Sequence, residues 1–470
     1  MRFKYCIPLI SLWLGGCMIG PDYEKPTESS LQVPEHYYVE DGASDDASLS
    51  EDSLALKEWR SVYKDPFLVG LIREALDENL DMAAAQSRLR QAYELIGVSR
   101  AALFPWLDGD LNSNAEQATG SHETDETYTA AGLLSWELDV WGIQRREIEA
   151  AQAQAIQAEL DVNAVQVSLI GTIAVQYFNL LSIDHQLSVT QSTIDTRREA
   201  LRILELRKES GVISGVEVSQ AEVSLAQAER KLPELKQAQL EIETILSVLL
   251  GRAPGEIVRG ELLMDIEVPD ELPVGMPSDL LLRRPDVRGA EMAMVAANAK
   301  VGIAEGRFYP RFKLTGEFGY ESDKLGDLLD SGTDFFDFDA NMTAPIFNAG
   351  ANKANLAAEK EAYEQSLISY KKIVLNALQE VSNVLSGYQQ AQLQEAADRK
   401  LLVAAQKYNR LALLQYRGGV LGYIDVLDAQ RQLFDAQLSV TQSRRDRLRA
   451  LAALYRVLGG GWDPQSVAVK

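Results

Sequence analysis

Histidine and cysteine are nearly missing from this sequence of 470 residues, with three of the first and two of the second. His36, His122 and His185 lie far apart, and none stands at metal-ligand spacing, so neither a metal nor another cofactor is expected. Cys6 and Cys17 both fall near the N-terminus, which denies the body of the chain a disulfide framework. Positive charge is short as well. Lys and Arg number 46 against 69 Asp and Glu, and the net charge of −23 argues against a nucleic-acid partner. No stretch after the N-terminus offers about 18 continuous apolar residues, the length a transmembrane helix needs. There is also no Gly-x-Ser-x-Gly elbow and no phosphate loop, and no carboxylate pair stands out from the helix surfaces. An enzyme is therefore not expected. What the chain does have is 46% apolar residues, too many for wholesale disorder.

The first residues read as an export signal, 1–16. Arg2 and Lys4 supply a basic start, and Ile7 to Leu14 is an apolar core too short to span a bilayer. Leu14-Gly15-Gly16-Cys17 then resembles a bacterial lipobox, which makes Cys17 the candidate for lipidation. An ordinary signal peptide with an incidental cysteine fits the same residues. Met18 follows where an aspartate often marks retention in the inner membrane, so the outer membrane is favoured. Residues 17–58 contain Pro21, Pro26, Pro34 and the acidic pairs Glu40-Asp41 and Asp45-Asp46, and read as an extended tether. Trp59 opens the ordered part, and Asp65-Pro66 is a helix start.

The remainder is built twice. Pro105 to Pro310 and Gly97 to Gly302 share an offset of 205 residues, and Gly211 to Gly419 and Val218 to Val426 share one of 208. Each copy opens with a helix, Leu80 to Leu103 or Pro285 to Phe308. Two stretches of alternating character follow. Arg311 to Tyr320 and Phe336 to Ala344 alternate strictly; Trp106 to Asn114 and Tyr128 to Leu138 do so more weakly. Each copy thus predicts one β-hairpin with an acidic or amide face and an apolar, aromatic face. A half-buried soluble hairpin fits this pattern too, but the length suits tilted membrane strands.

Very long helices come next, Ile143 to Ser210 and Ala351 to Arg417, each roughly 100 Å at 1.5 Å per residue. Ile173, Leu180, Leu187, Ile194 and Leu201 recur every seven residues, as do Leu367, Val374, Val381 and Tyr388. The long helices turn back through Gly211-Val212-Ile213-Ser214-Gly215 and Gly418-Gly419-Val420-Leu421-Gly422 into shorter ones, Val216 to Leu250 and Tyr423 to Leu458. Pro233 should kink the first of these. The plan is residues 59–79, a first repeat 80–271, a second repeat 272–462 and a tail 463–470. Four strands cannot close a barrel, and an open edge cannot face lipid. Closure needs about eight strands or more, so a homotrimer with twelve is the smallest comfortable solution.

Several blocks occur in a telling order: the lipobox cysteine, Trp59, Asp65-Pro66, Phe104-Pro105, Trp136-Glu137-Leu138-Asp139, Leu280-Leu281-Leu282-Arg283-Arg284-Pro285-Asp286, Phe308-Tyr309-Pro310, Pro345-Ile346-Phe347 and Gly459-Gly460-Gly461-Trp462. Over nearly the whole mature chain this resembles the TolC family of outer-membrane efflux ducts, in particular its acylated OprM-like branch. The resemblance implies a mixed α and β membrane protein. Three chains would share a 12-stranded outer-membrane β-barrel and a long periplasmic α-barrel, with residues 59–79 in an equatorial collar. It further implies a lipid-anchored protein lying mostly in the periplasm. The implied partners are outer-membrane lipid, a periplasmic adaptor (membrane fusion) protein and an inner-membrane RND-type pump, and the implied cargo is drugs or other small toxic compounds.

The resemblance also places a periplasmic gate at Ile424 and Asp428, with Tyr416, Asp425 and Arg431 as linking residues. Asp425, Asp428 and Arg431 are three apart and share a helix face. Around a threefold axis Asp428 would make a ring of carboxylates. An ordinary solvated pair of Asp428 with Arg431 fits the same spacing. The tips Gly211, Val212, Gly215, Gly418, Gly419, Val420 and Gly422 become adaptor contacts, a role compatible with plain turn chemistry. A duct that secretes peptides or proteins, and a lipid-anchored coiled-coil scaffold, are the competing readings.

Overall fold

The computed structural model describes residues 18–31, 33–38, 59–117, 125–268, 277, 281, 283–460 and 462. Cys17, the signal, residues 39–58 of the tether and the tail 463–470 lie outside the described residues. Two short helices, α1 (Glu28–Leu31) and α2 (Trp59–Val62), precede α3 (Pro66–Glu78). The chain then runs α4 (Leu80–Ala101), β1 (Trp106–Glu116), β2 (Asp125–Leu138), α5 (Ile143–Glu209) and α6 (Gly215–Leu249). The same order returns as α7 (Pro285–Gly306), β3 (Arg311–Ser322), β4 (Asp334–Thr343), α8 (Ala351–Arg417) and α9 (Tyr423–Val457). Helix α6 continues through Pro233.

Two compact units share these elements. So far as they are described, residues 18–26, 88–158 and 289–370 make the first, and 27–87, 159–288 and 371–462 the second. The first unit holds one antiparallel sheet in the order β1-β2-β3-β4. The two hairpins are thus joined, because β2 pairs along its length with β3, from Tyr128 opposite Ser322 to Leu138 opposite Phe312. Residues directly opposite in such a sheet share a face, so the register sorts all four strands. Leu107, Leu111, Leu134, Trp136, Phe312, Leu314, Phe318, Phe336, Phe338 and Met342 fall on one face. The other carries Asp108, Asp110, Asn112, Glu137, Glu317, Asp337 and Asp339. The weaker alternation of β1 and β2 resolves in this register.

The apolar face is uncovered within one chain: Leu111 is 86% exposed and Phe336 75%. On it Phe318 fits tightly, its ring lying where a side chain on Gly132 would go. On the opposite face Gly319 lets β3 approach β2, since a Cβ there would fall 2.3 Å from the Ala130 carbonyl oxygen. Tryptophans tie the strand ends to the chain beyond them. Trp136 Nε1 donates to the Leu103 carbonyl at 2.9 Å and Trp141 Nε1 to that of Pro310 at 2.7 Å.

The N-terminal stretch departs from the expected tether. Residues 18–25 are fastened to the first unit. The buried Arg146 guanidinium donates to the carbonyls of Ile19 and Gly20, and Asn298 donates to that of Pro21. A tether needs an unpartnered backbone, and this backbone has partners.

The second unit is centred on an apolar cluster. Trp59, Tyr63, Leu68 and Ile72 pack with Ile170, Ile173, Tyr177, Leu180 and Leu181 of α5, with Leu246 and Ile257, and with Leu451, Leu454 and Tyr455 of α9. Helix α5 contains a window of mean hydropathy 1.4, long enough to cross a membrane by composition. Its residues in this cluster account for that apolar character, because they face protein. Seam positions Ile173, Leu180, Ile194, Val374 and Val381 are all buried.

Two buried polar nodes fix this core. Asp65 caps α3, accepting from the Phe67 amide at 2.8 Å, and its second oxygen accepts from the Tyr177 hydroxyl. That hydroxyl in turn accepts from the Gly260 amide at 3.0 Å. Glu395 of α8 is only 3% exposed and is ringed by three arginines. Arg399 lies 2.7 Å away, and Arg444 and Arg447 of α9 each 3.2 Å away. Burial alone would raise the Glu395 pKa, but hydrogen bonds and charge from the arginines outweigh it and hold the carboxyl below its usual value of 4.5.

Asp65→Ala removes a cap and orphans a buried hydroxyl, and is expected to cost about 2–4 kcal/mol in denaturant unfolding. Glu395→Gln strands two buried guanidinium groups, with an expected cost of about 3–5 kcal/mol at neutral pH. Because the folded pKa of Glu395 is depressed, its contribution is complete above the unfolded value near 4.5 and is lost as pH falls through the folded value. Melts between pH 7 and pH 3 should show that loss in the native chain and not in Glu395→Gln.

Candidate functional site

Helices α5 and α8 end in the same way. Gly211 has φ +69° and Gly419 φ +72°, a backbone conformation that costs glycine nothing. The Gly211 and Val212 amides donate to the carbonyls of Lys208 and Arg207; those of Gly419 and Val420 donate to Tyr416 and Gln415. This crossed pair of bonds satisfies the last carbonyls of each helix. The returning helices start from extended residues with matching angles, Ser214 (φ −83°, ψ 161°) and Gly422 (φ −74°, ψ 160°). The tips themselves are open: Gly211, Val212, Gly215, Gly418, Gly419, Val420 and Gly422 are all exposed.

Beneath the tips, Leu204, Val218 and Ala221 of the first hairpin pack against Ala412, Tyr423, Val426 and Ala429 of the second. Ile213, Leu421 and Tyr416 edge the cluster. Small residues every third or fourth position let the helices close up. The packing decides which α9 side chains remain available. Val426 and Ala429 face in; Ile424 stays 61% exposed. Ile424, Asp428 and Arg431 line a groove whose other wall is Gly215, Val216, Ser219, Gln220 and Val223.

Three of the five candidate gate residues fall into two polar clusters, Asp428 with Arg431 in one and Tyr416 in the other. Asp428 accepts from Arg431 at 2.6 Å on one oxygen. Its other oxygen accepts from Gln432 at 2.7 Å and from the Tyr408 hydroxyl at 3.4 Å. Burial raises the Tyr408 pKa first, and the negative charges of Asp428 and Asp425 add to it. Asp425 stands apart from this knot. Among the described residues its carboxylate holds no hydrogen bond and no ion pair. Tyr416 joins the other hairpin instead. Arg207 donates to its hydroxyl at 2.9 Å, with the guanidinium 5.6 Å from the ring centroid. Tyr423 packs against the same ring, with centroids 5.3 Å apart.

Sequence reasoning missed Gln432, Tyr408 and Arg207. Gln432 lies four residues after Asp428 and was within reach of helix spacing. Tyr408 and Arg207 sit on other helices, and no local signal points to them. In one chain the Asp428–Arg431 pair is the solvated i,i+3 arrangement, with Arg431 largely exposed. Among the described residues no group of three or more His, Cys, Asp or Glu is placed to hold a metal.

Tyr416→Phe removes the acceptor of a half-buried guanidinium and should lower stability by about 1–2 kcal/mol. Asp428→Ala, which breaks an exposed pair, should cost only a few tenths of a kcal/mol. Urea midpoints of the two variants, measured side by side, check the contrast.

Comparison with known proteins fits this architecture. The profile of the family described as "Outer membrane efflux protein" matches residues 71–252 and 276–460. The solvent efflux pump outer membrane protein SrpC of Pseudomonas putida is 32% identical over 471 residues, spanning 98% of this chain and 99% of that protein. The cation efflux system protein CusC of Escherichia coli O6:H1 is 28% identical over 460 residues, 97% of this chain and 98% of that protein. Among solved structures, the open state of the Neisseria gonorrhoeae MtrE outer membrane channel superimposes with a TM-score of 0.85 at 30% identity, covering 95% of this chain and 98% of that one. Two copies of one helix–hairpin–helix plan, matched to a single profile in both halves, mean that this chain belongs to the outer membrane efflux protein family.

Proposed function

We propose that three copies of this chain form an outer-membrane efflux duct, and that the observation carrying this reading is the four-stranded sheet. One face is apolar and uncovered, the other is acidic, and the outer edges of β1 and β4 are unpaired. An apolar face of this size on a soluble monomer would be a liability. In a closed barrel it meets lipid, while Asp108, Asp110, Glu317, Asp337 and Asp339 line the water-filled side. Pairing β4 of one copy with β1 of the next removes every open edge, and three copies give twelve strands.

The helices support the same assembly. Ile203, Leu206 and Val223 near the first hairpin are exposed, as are Leu393, Val403 and Leu414 of α8. A neighbouring copy would cover them. The two repeats then supply staves of a periplasmic tube, and residues 59–79 belong to a collar around it. Acylation of Cys17 anchors the chain in the outer membrane. The exposed tips, with Val212 and Val420 outward, fit an adaptor protein that links the duct to an inner-membrane pump of the RND type. Asp428 and Ile424 narrow the passage where copies converge. Relatives named for solvent and cation efflux support small toxic compounds as cargo. The duct itself catalyses no reaction. The uncovered apolar face disfavours a soluble scaffold.

Purified protein in a planar bilayer should open channels of small single-channel conductance, and Asp428→Ala should raise it clearly. Channels whose conductance the substitution leaves alone would remove Asp428 as the constriction and keep the duct. Folded, acylated protein that opens no channel would overturn the duct.

A further inference from the structure

Arg146, on the first turn of α5, is almost fully buried at 1% exposure. A buried guanidinium normally answers to a carboxylate within its own core. Here it holds one carboxylate of its own helix, Glu149, and spends the rest of its fork on a distant segment, two of whose backbone carbonyls accept from it. Nε donates to the Ile19 carbonyl and Nη2 to that of Gly20, both at 3.2 Å. Nη2 also reaches the exposed Asp22 at 3.0 Å, and Nη1 holds Glu149 at 2.8 Å. The fork therefore reads three successive features of residues 19–22 at once, a geometry lysine cannot reproduce.

Five further contacts surround this one. The Ile19 amide donates to the Trp141 carbonyl at 3.1 Å. Gly20 has φ +97° and sits so close to Gly302 that a Cβ on it would fall 2.4 Å from the Gly302 Cα. Asn298 donates to the Pro21 carbonyl at 2.8 Å, and Lys25 pairs with the mostly buried Glu291 at 2.8 Å. Met18 packs on Gly142, where a Cβ would fall 2.6 Å from its Cγ. Gly142 itself lies four residues beyond the end of β2, beside Trp141, whose ring packs at a tilt against Tyr309 just ahead of β3. Glycine on both sides of the crossing gives backbone-to-backbone contact that any side chain would prevent.

We propose that residues 18–25 are a docked strap latched by Arg146. The strap fixes the N-terminal end of the mature chain at the strand-to-helix junction of the first unit. The anchor's position in the membrane is then set by this junction and not by the reach of a free tether. The identity of the anchor rests on the acylation reading above; the docking of the strap does not. Arg146 is a positioning residue here. Its guanidinium recognises a peptide backbone in the way a receptor recognises a bound strand, so the strap should be separable from the fold of the unit that carries it.

The test uses the full-length, membrane-assembled protein with Glu24→Cys, an exposed strap position, carrying a nitroxide spin label. Cys6 is lost with the signal and Cys17 is capped when acylated, so this thiol is the label's single target. The expected spectrum is that of a packed segment. Gly20→Val alters only the strap and should abolish the immobile component while channel conductance stays at the native level. Arg146→Ala should abolish it too, and Arg146→Lys should restore it only in part. A mobile label in the native chain, or an immobile one in both Gly20→Val and Arg146→Ala, overturns the latch. If Arg146→Ala does not assemble, Gly20→Val alone decides. Mass spectrometry of the N-terminal peptide separates the two readings. An unmodified Cys17 would sink the statement about the anchor; the label is then read in a Cys6→Ser, Cys17→Ser background, where Glu24→Cys is again its single target and still decides the strap.

Discussion

An unpaired strand edge cannot face hydrocarbon, because no water is there to satisfy its amides and carbonyls. That constraint governs the rest of this molecule. The chain supplies four strands, correctly sorted into an apolar and an acidic face, and then stops with β1 and β4 open. Only a second edge of the same kind closes them without leaving a seam. The long helices follow from the same logic, since a helix of 67 residues finds no globular core to wrap it and must lie beside others as long. Exposed apolar side chains along α5, α6 and α8 are then surfaces kept for neighbours.

Within one chain, buried charges tie distant segments to one another. Glu395 answers three arginines and Asp65 answers an amide and a hydroxyl, so each node fixes the register of two or more segments. Such groups add specificity because a shift of one residue would strand a charge. Arg146 obeys the same rule with a different partner, a stretch of backbone. The hairpin tips contrast with these nodes. Their turns are satisfied by their own backbone, leaving their side chains uncommitted.

The gate cluster shows how far local spacing reaches. Asp428 and Arg431 pair three residues apart, as helix geometry dictates, and Gln432 joins from one turn on. Asp425 obeys the same spacing, yet among the described residues it holds no hydrogen bond or ion pair and reaches the cluster through its charge on Tyr408. The bond from Arg207 to Tyr416 spans 209 residues of sequence and depends on both hairpins being packed. Spacing within one helix could not reveal it.

The sequence by itself determined the element types, their lengths and the duplication. Helix periodicity, strand alternation and the glycine that ends a helix are short-range effects, set by residues within a turn or two. Gly211 and Gly419 take one conformation because each sits at the same place in the same local pattern. The tertiary structure alone decided what those elements meet: that β2 pairs with β3, that Arg207 holds Tyr416, that Arg444 and Arg447 converge on Glu395, and that residues 18–25 lie under Arg146 and not in solvent. These are contacts between distant segments. Any of several arginines or carboxylates in a chain with 46 of one sign and 69 of the other could have made them. Which ones did is fixed by packing, because only close-packed helices and strands bring a particular pair within hydrogen-bond distance.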